Sequence, residues 1–417
     1  MSARAPGKHA FVFIFITVLI DMIGFGIIIP VMPQLVMSLT GQPIESAAVM
    51  GGLLMGVFAF TQFICAPIVG GLSDRYGRRR ILLFAMLGFT IDYLIMGTAT
   101  TFAVLFIGRM LSGVFGATYT TANAYIADIT DPKDRAGRFG MMGAAFGLGF
   151  ILGPVIGGLL GDVDPRYPFF AAAALAGANV VYGYFILPET LTIENRRPFK
   201  IRRANPFGSL LQMRQYPVVF AMLAAAFLFF LGHAAFPALW TYFSTLRFDW
   251  TPRDIGLSLM AVGLASAIVQ GGLTRIIVAR IGEWRAFAIG FSIAALAYIG
   301  YGFVSEVWAF YVIMAFGSFA GIGGPAMQSI CSRLVPANSQ GELQGAMSSL
   351  QSLSMVIGPL TLPHVFHYFT TDTAPVYLPG AAFLVAAVLT VLALFVGLSS
   401  RGKDVTTLKH PAPVEAE

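Results

Sequence analysis

Stretches of about twenty consecutive, mostly apolar residues recur along the whole chain, and no other feature limits its folding more. They cover 10–33, 47–72, 81–99, 101–127, 138–160, 168–187, 217–246, 255–279, 285–304, 307–332, 343–368 and 376–399. A helix of ~20 residues rising ~1.5 Å per residue just crosses a hydrocarbon layer ~30 Å thick. In that layer a backbone must satisfy its own hydrogen bonds, so runs this long become helices. Only 11% of the 417 residues are charged and 57% are hydrophobic, whereas a soluble domain carries roughly a quarter charged residues. The expectation is an all-α membrane protein with twelve spans. The first run, preceded by Arg4 and Lys8, continues past Asp21 to Pro30 with no small-residue cleavage site. It reads as a span and not as a cleaved signal.

Lysine and arginine set the orientation, since they collect on the cytoplasmic side. Of the 26, twenty-two fall in one alternate set of segments that includes both termini, three (Arg166, Arg247, Arg253) in the other, and Arg109 lies inside a span. Both termini are therefore expected in the cytoplasm. The net charge of +6 follows from this topology and does not call for a nucleic-acid partner. The longest polar, basic segment separates spans six and seven. It divides the chain into a six-helix bundle (1–188), a linker loop (189–216), a second six-helix bundle (217–400) and a cytoplasmic tail (401–417). A shift of 205 residues superposes Gly77 on Gly282, Arg80 on Arg285, Gly140 on Gly345 and Gly153-Pro154 on Gly358-Pro359. Parallel repeats of this kind place a transporter's substrate site between the halves near the bilayer midplane.

Charges inside spans are costly and normally face a cavity or a partner. Asp21, Asp92 and Arg109 lie at such depths in the first half as proton-coupling candidates, and His233, the ionisable group of span seven, could stand in as a further proton group. Arg109, Gly113, Gly116, Thr120 and Asn123 form one small and polar helix face. Gln62, Asn123, Gln270 and Gln351 are the polar residues expected to line a cavity. The bland alternatives are a structural ion pair at Arg109 and a locally hydrogen-bonded His233. Cys65 and Cys331 read as small buried hydrophobes. No nucleophile, metal or cofactor pattern appears, so no cofactor is expected and an enzyme is disfavoured.

The loop after span two, GGLSDRYGRRR (70–80), carries Gly70, Asp74, Arg75, Gly77, Arg78 and Arg79. This resembles the G-x-x-x-D-R-x-G-R-R signature of the major facilitator superfamily. Asp74 is expected against a helix N-terminus, and Arg78 against Asp128 at the end of span four. The second-half equivalent, ARIGEWR (279–285), lacks the acidic residue. Span five fits G-x8-G-x3-G-P-x2-G-G through Gly140, Gly149, Gly153, Pro154, Gly157 and Gly158, similar to the superfamily's antiporter branch. Glycines spaced by four let a neighbouring helix approach closely, and Pro154 permits a bend.

The resemblance extends over nearly the whole chain to the tetracycline–proton antiporter family. It runs through LIDMIGFGIIIPVMPQL, IDYL (91–94), GRMLSGVFGAT, FGLGFILGPVIGG, RFDW (247–250) and ELQGAMSSL. It implies that Asp21, Asp92 and Arg109 are embedded charges needed for transport. The family carries a histidine in span eight and an aspartate in span nine, where this chain has Ser266 and Ala294. The implied function is proton-coupled export of a drug or amphipathic molecule by a monomer in the inner membrane, its partners being protons, a small-molecule substrate and lipid. Uptake or exchange of a metabolite and a non-transporting receptor are the alternatives.

Overall fold

The computed structural model describes residues 8–401 apart from 118, 132–133, 197–207 and 337–338. The middle of the expected linker and the tail beyond 401 thus lie outside the described residues. Twelve long helices follow one another: α1 Phe11–Thr40, α2 Ile44–Tyr76, α3 Arg78–Gly97, α4 Phe102–Ile129, α5 Gly137–Gly161, α6 Tyr167–Ile186, α7 Pro217–Phe248, α8 Pro252–Ile281, α9 Glu283–Phe303, α10 Val307–Arg333, α11 Gln340–Thr370 and α12 Ala381–Ser400. Among the described residues, eleven are both long and apolar enough to span a membrane. The remaining one, α11, has the length but holds Glu342, two histidines and a serine- and glutamine-rich first half.

Several helices depart from one unbroken rod. The first runs to Thr40, beyond the expected residue 33. Pro30 sits in a single 3₁₀ turn, Ile29–Val31, and the α-helix resumes at Met32 with Pro33 in its first turn, where a missing N–H costs nothing. In α4 the first α-helical stretch ends at Gly116, followed by a turn at Ala117. A π-helical stretch, Val269–Leu273, interrupts α8, and a 3₁₀ stretch, Phe319–Ile322, interrupts α10. Pro154 lies inside α5 without breaking it.

The chain forms two compact units. One comprises 1–205, 235–267 and 355–379, and the other 206–234, 268–354 and 380–417. This differs from the division of the sequence at the linker. Contact follows touching surfaces, and the stretches 235–267 and 355–379 touch the first six helices. The core of the first unit joins Phe13, Ile14, Leu82, Met86, Tyr125, Ile126 and Met142 from α1, α3, α4 and α5. That of the second joins Met222, Leu223, Phe287, Phe291, Met327 and Leu343 from α7, α9, α10 and α11.

Bare glycine faces decide the packing of the first unit. A methyl group at Gly149 would lie 2.9 Å from the Leu19 carbonyl, one at Gly153 2.8 Å from that of Ile23, and ones at Gly157 and Gly161 would collide with Ile27 and Val31. This is the expected seam of α5, and its partner is α1. A neighbouring face of α5 meets α8, where Gly158 lies against Pro252 and Gly256 against the Pro154 carbonyl. On α2, Gly52 faces the Pro359 carbonyl of α11 in the same manner. Pro154 and Pro359 are 205 residues apart, so the two crossings are related by the repeat. Gly140 departs from the expected seam: nothing lies within 4 Å of a methyl placed there. Gly157→Val is therefore expected to lower the thermal unfolding temperature and folded yield, by an overpacking cost of about 1–3 kcal/mol. Gly140→Ala is expected to leave both unchanged, which thermal unfolding in detergent will show.

Candidate functional site

Asp92 sits on α3 facing α4 and is fully buried. Its position depends on Gly108, because a side chain there would press on Met96 and Asp92. Ser112, one turn further along α4, donates its hydroxyl to Asp92 Oδ2. Among the described residues no group bonds Asp92 Oδ1. Arg109 projects from α4 between these two residues and is 7% exposed. Its guanidinium lies 5.3 Å from the centre of the Phe58 ring of α2, a cation–π arrangement, and its Nε has no partner among the described residues. Gly113 makes room for Thr61 and the Phe58 carbonyl, drawing α2 against α4.

Arg109 interacts electrostatically with Asp92, Tyr93 and Tyr242. Tyr93 in turn lies in the field of Asp21, Asp92 and Arg109, with its hydroxyl against Gly24 of α1. Asp21, half-buried on α1, reaches Asp92 and Arg109 through Tyr93, on which all three act. Two phenols complete the group, and neither was named from the sequence. Tyr93 could have been found from its place beside Asp92. Tyr242 carries no such signal, because it arrives from the other side of the linker.

The candidate cavity residues divide between the two units. Gln62 donates from Nε2 to the Gly116 carbonyl at 3.1 Å, at the break in α4, and Asn123 is half-buried one turn beyond it. In the second unit Gln270 is exposed within the π-helical stretch of α8, its side chain against Gly321 at the break in α10. Gly116 and Gly321 are 205 residues apart, so each half directs a glutamine at the same break. Gln351 is exposed on α11. His233 bonds the Tyr298 hydroxyl through Nδ1 at 2.9 Å and stacks on Phe229. Tyr298 lies one turn from Ala294 on α9, so His233 stands next to the position where the resembling family carries a carboxylate.

The α2–α3 corner is a charge network. Arg78 is 9% exposed. It donates to Asp74, to Ser73 Oγ at 2.6 Å and, through Nε, to Asp128 Oδ2 at 3.2 Å, so the expected pair with Asp128 is present. The expectation for Asp74 needs correction. Its carboxylate takes the Arg78 guanidinium, and the first N–H of α3 goes to Glu189 Oε1 at 2.9 Å. Glu189 wins because Gly77, at φ +103° and without a side chain, leaves its carboxylate room to enter. The acidic residue of LPET (187–190) was the available sequence signal. Arg79 donates to the Tyr184 carbonyl at 2.6 Å, and Arg75 lies over the Tyr76 ring. Gly70 approaches Thr120 of α4.

The repeat places Gly282, at φ +81°, before α9 as Gly77 precedes α3. It also sets Glu283 where Arg78 stands and Arg333 where Asp128 stands. These two residues pair at 3.0 Å, and Ser329 donates to the same carboxylate oxygen at 2.5 Å. The second half therefore keeps the ion pair with its signs exchanged.

Comparison with known proteins agrees with this architecture. The family model of the Major Facilitator Superfamily matches residues 14–359, and the chain belongs to that superfamily of membrane transporters. Within it the chain groups with the tetracycline resistance proteins: the class C protein of Escherichia coli is 41% identical over 86% of this chain and 90% of its own length. Multidrug resistance protein 2 of Bacillus subtilis (strain 168) is 30% identical over 84% and 87%. Among solved structures, a bacterial homologue of the human lysosomal transporter Spinster, inward-facing and unoccupied, has a TM-score of 0.76 at 16% identity, covering 97% of this chain and 99% of its own. It shares the fold.

If sign matters only within each pair, exchanging both members is tolerated. Glu283→Arg alone is expected to reduce transport several-fold, and Glu283→Arg with Arg333→Glu to restore most of it, a coupling that a double-mutant cycle measures.

Proposed function

We propose that this transporter exports tetracycline-like or related amphipathic drugs in exchange for protons. It works as a monomer in the inner membrane with both termini in the cytoplasm, and it performs no catalysis. The carrying observation is the buried Asp92 and Arg109, with half-buried Asp21 reached through Tyr93, in which Asp92 Oδ1 and Arg109 Nε retain unused hydrogen-bonding capacity. Two carboxylates and one guanidinium sum to one negative charge. A charge left uncompensated at this depth is expensive. A proton on one carboxylate cancels it, and so does a cationic ligand. The two neutralising partners exclude each other, and that exclusion is the requirement for antiport. Arg109 keeps one carboxylate ionised while the other exchanges its proton, so the titration belongs to the group and not to one residue. Alternating access then carries the proton and the drug in opposite directions.

The tetracycline resistance relatives and the mixed polar and aromatic surroundings support an amphipathic drug as substrate. The Arg78 network is the proposed cytoplasmic latch, and the α1–α5 glycine seam limits leak. Lysine–arginine asymmetry supports the orientation. His233 with Tyr298 supplies a polar point in the second half, suited to drug recognition beside Ala294.

A drug-hypersensitive host expressing the chain is expected to gain resistance within a panel that includes tetracyclines. In everted vesicles a proton gradient should drive drug accumulation, and Asp92→Asn, which fixes that position neutral, should reduce it at least about tenfold. Gradient-driven transport surviving in Asp92→Asn would refute the assignment, and accumulation only in right-side-out vesicles would indicate uptake. His233→Leu is expected to raise the half-saturating drug concentration several-fold with the pH dependence retained, measured in the same vesicles.

A further inference from the structure

Tyr242 lies beyond the linker in sequence, yet it packs in the first unit. Its side chain is 3% exposed, and its hydroxyl has no hydrogen-bond partner among the described residues. The ring is seated on α2, where Gly51 lacks the side chain that would collide with the hydroxyl. Arg109 is the charged group in whose field it lies. Three buried polar atoms in this region, Asp92 Oδ1, Arg109 Nε and Tyr242 Oη, therefore each keep an unused bond. Arginine only donates, whereas a phenol oxygen and a carboxylate both accept. Asp92 and Tyr242 are thus alternative acceptors for one donor.

We propose that Tyr242 is a positioning residue through which α7 senses the charge of the Asp92–Arg109 group. When Asp92 is ionised it holds the guanidinium. When a proton occupies Asp92, Arg109 turns its free N–H toward the Tyr242 hydroxyl, directly or through one water. That bond exists only while Tyr242 sits on Gly51. Protonation therefore favours the arrangement in which the 235–248 segment rests on α2, and deprotonation releases it. The inference rests on the proton-coupling reading above and adds the element by which the proton state reaches the second half.

The groups facing this region are few. Ser112 and Arg109 face Asp92, and Tyr93 adds the influence of Asp21. On α2, Thr61 and Gln62 are uncharged and bond the Val57 and Gly116 carbonyls. From α11, which meets α2 at Pro359 and Leu360, His364 and His367 lie toward the helix end and are not among the groups acting on Arg109. The charged residues of the α8 start are Arg253 and Asp254, the latter bonded to Thr251.

The test follows the distance between spin labels at Gln42→Cys and Arg253→Cys, with Cys65 and Cys331 replaced by serine, in the full-length reconstituted protein across pH. The short-distance population is expected to rise as pH falls. Tyr242→Phe keeps the ring and removes the hydroxyl. It should lower that population about ten- to hundredfold at low pH, the worth of one hydrogen bond to a charged group, and flatten its pH dependence. Gly51→Ala, which keeps the hydroxyl and blocks its seat, should lower the population at every pH. Tyr242→Phe with the pH profile of the unsubstituted protein would overturn the proposal, as would a drop in Tyr242→Phe that is equal at all pH values, since that is a packing effect. Failure of the proton-coupling reading is seen separately, as drug movement in vesicles that ignores the proton gradient.

Discussion

Contact between bare helix backbones is the constraint on which the rest of this structure depends. Lipid tails are as apolar as leucine, so helices in a bilayer gain little by hiding apolar side chains from them. Close approach is what remains, and glycine allows it. Gly149, Gly153, Gly157 and Gly161 bring α5 onto α1, Gly158 and Gly256 bring α8 onto α5, and Gly51, Gly52 and Gly56 seat α7 and α11 on α2. The last of these contacts carries Tyr242 to the neighbourhood of Arg109. Without the glycines, the charged group would lack its member from beyond the linker.

The charged group itself is built by the same device. Gly108 opens a space for Asp92, and Gly113 brings α2 close enough for Phe58 to lie under Arg109. The result is a buried carboxylate and a buried guanidinium that are each incompletely bonded. A structural ion pair would satisfy both, since a half-satisfied buried pair is destabilising. Retaining that cost at mid-depth is consistent with a place where a proton or ligand must come and go.

The repeat reaches further than topology. Gly77 and Gly282 share a positive-φ, extended-ψ conformation, Gly116 and Gly321 mark helix breaks approached by glutamines, and Pro154 and Pro359 rest their carbonyls on glycines of α8 and α2. The Arg78–Asp128 and Glu283–Arg333 pairs occupy equivalent positions with opposite sign. Geometry is retained where backbone shape demands it. Sign is free to change because a paired charge needs only its opposite, so the missing equivalent of Asp74 did not mean a missing pair.

The spans, the repeat, the loop network of Arg78 with Asp128 and the embedded Asp21, Asp92 and Arg109 were all legible in the sequence. Each rests on a local rule: run length, spacing within one helix, or the cost of a charge in an apolar run. The partners of those residues were not legible. Nothing local in PALWTYFSTL marks Tyr242 as a neighbour of Arg109, LPET signals an acidic residue but not that Arg78 is its donor, and Gly140 matches a motif yet nothing lies within 4 Å of a methyl placed there. Helix periodicity tells which residues share a face. Which face meets which helix, and at what register, depends on the shape fit of whole surfaces. The sequence by itself determined a membrane bundle of two related halves with a charged centre. Only the tertiary structure decided which side chains complete that centre, because the contacts of Tyr242 join residues more than a hundred positions apart.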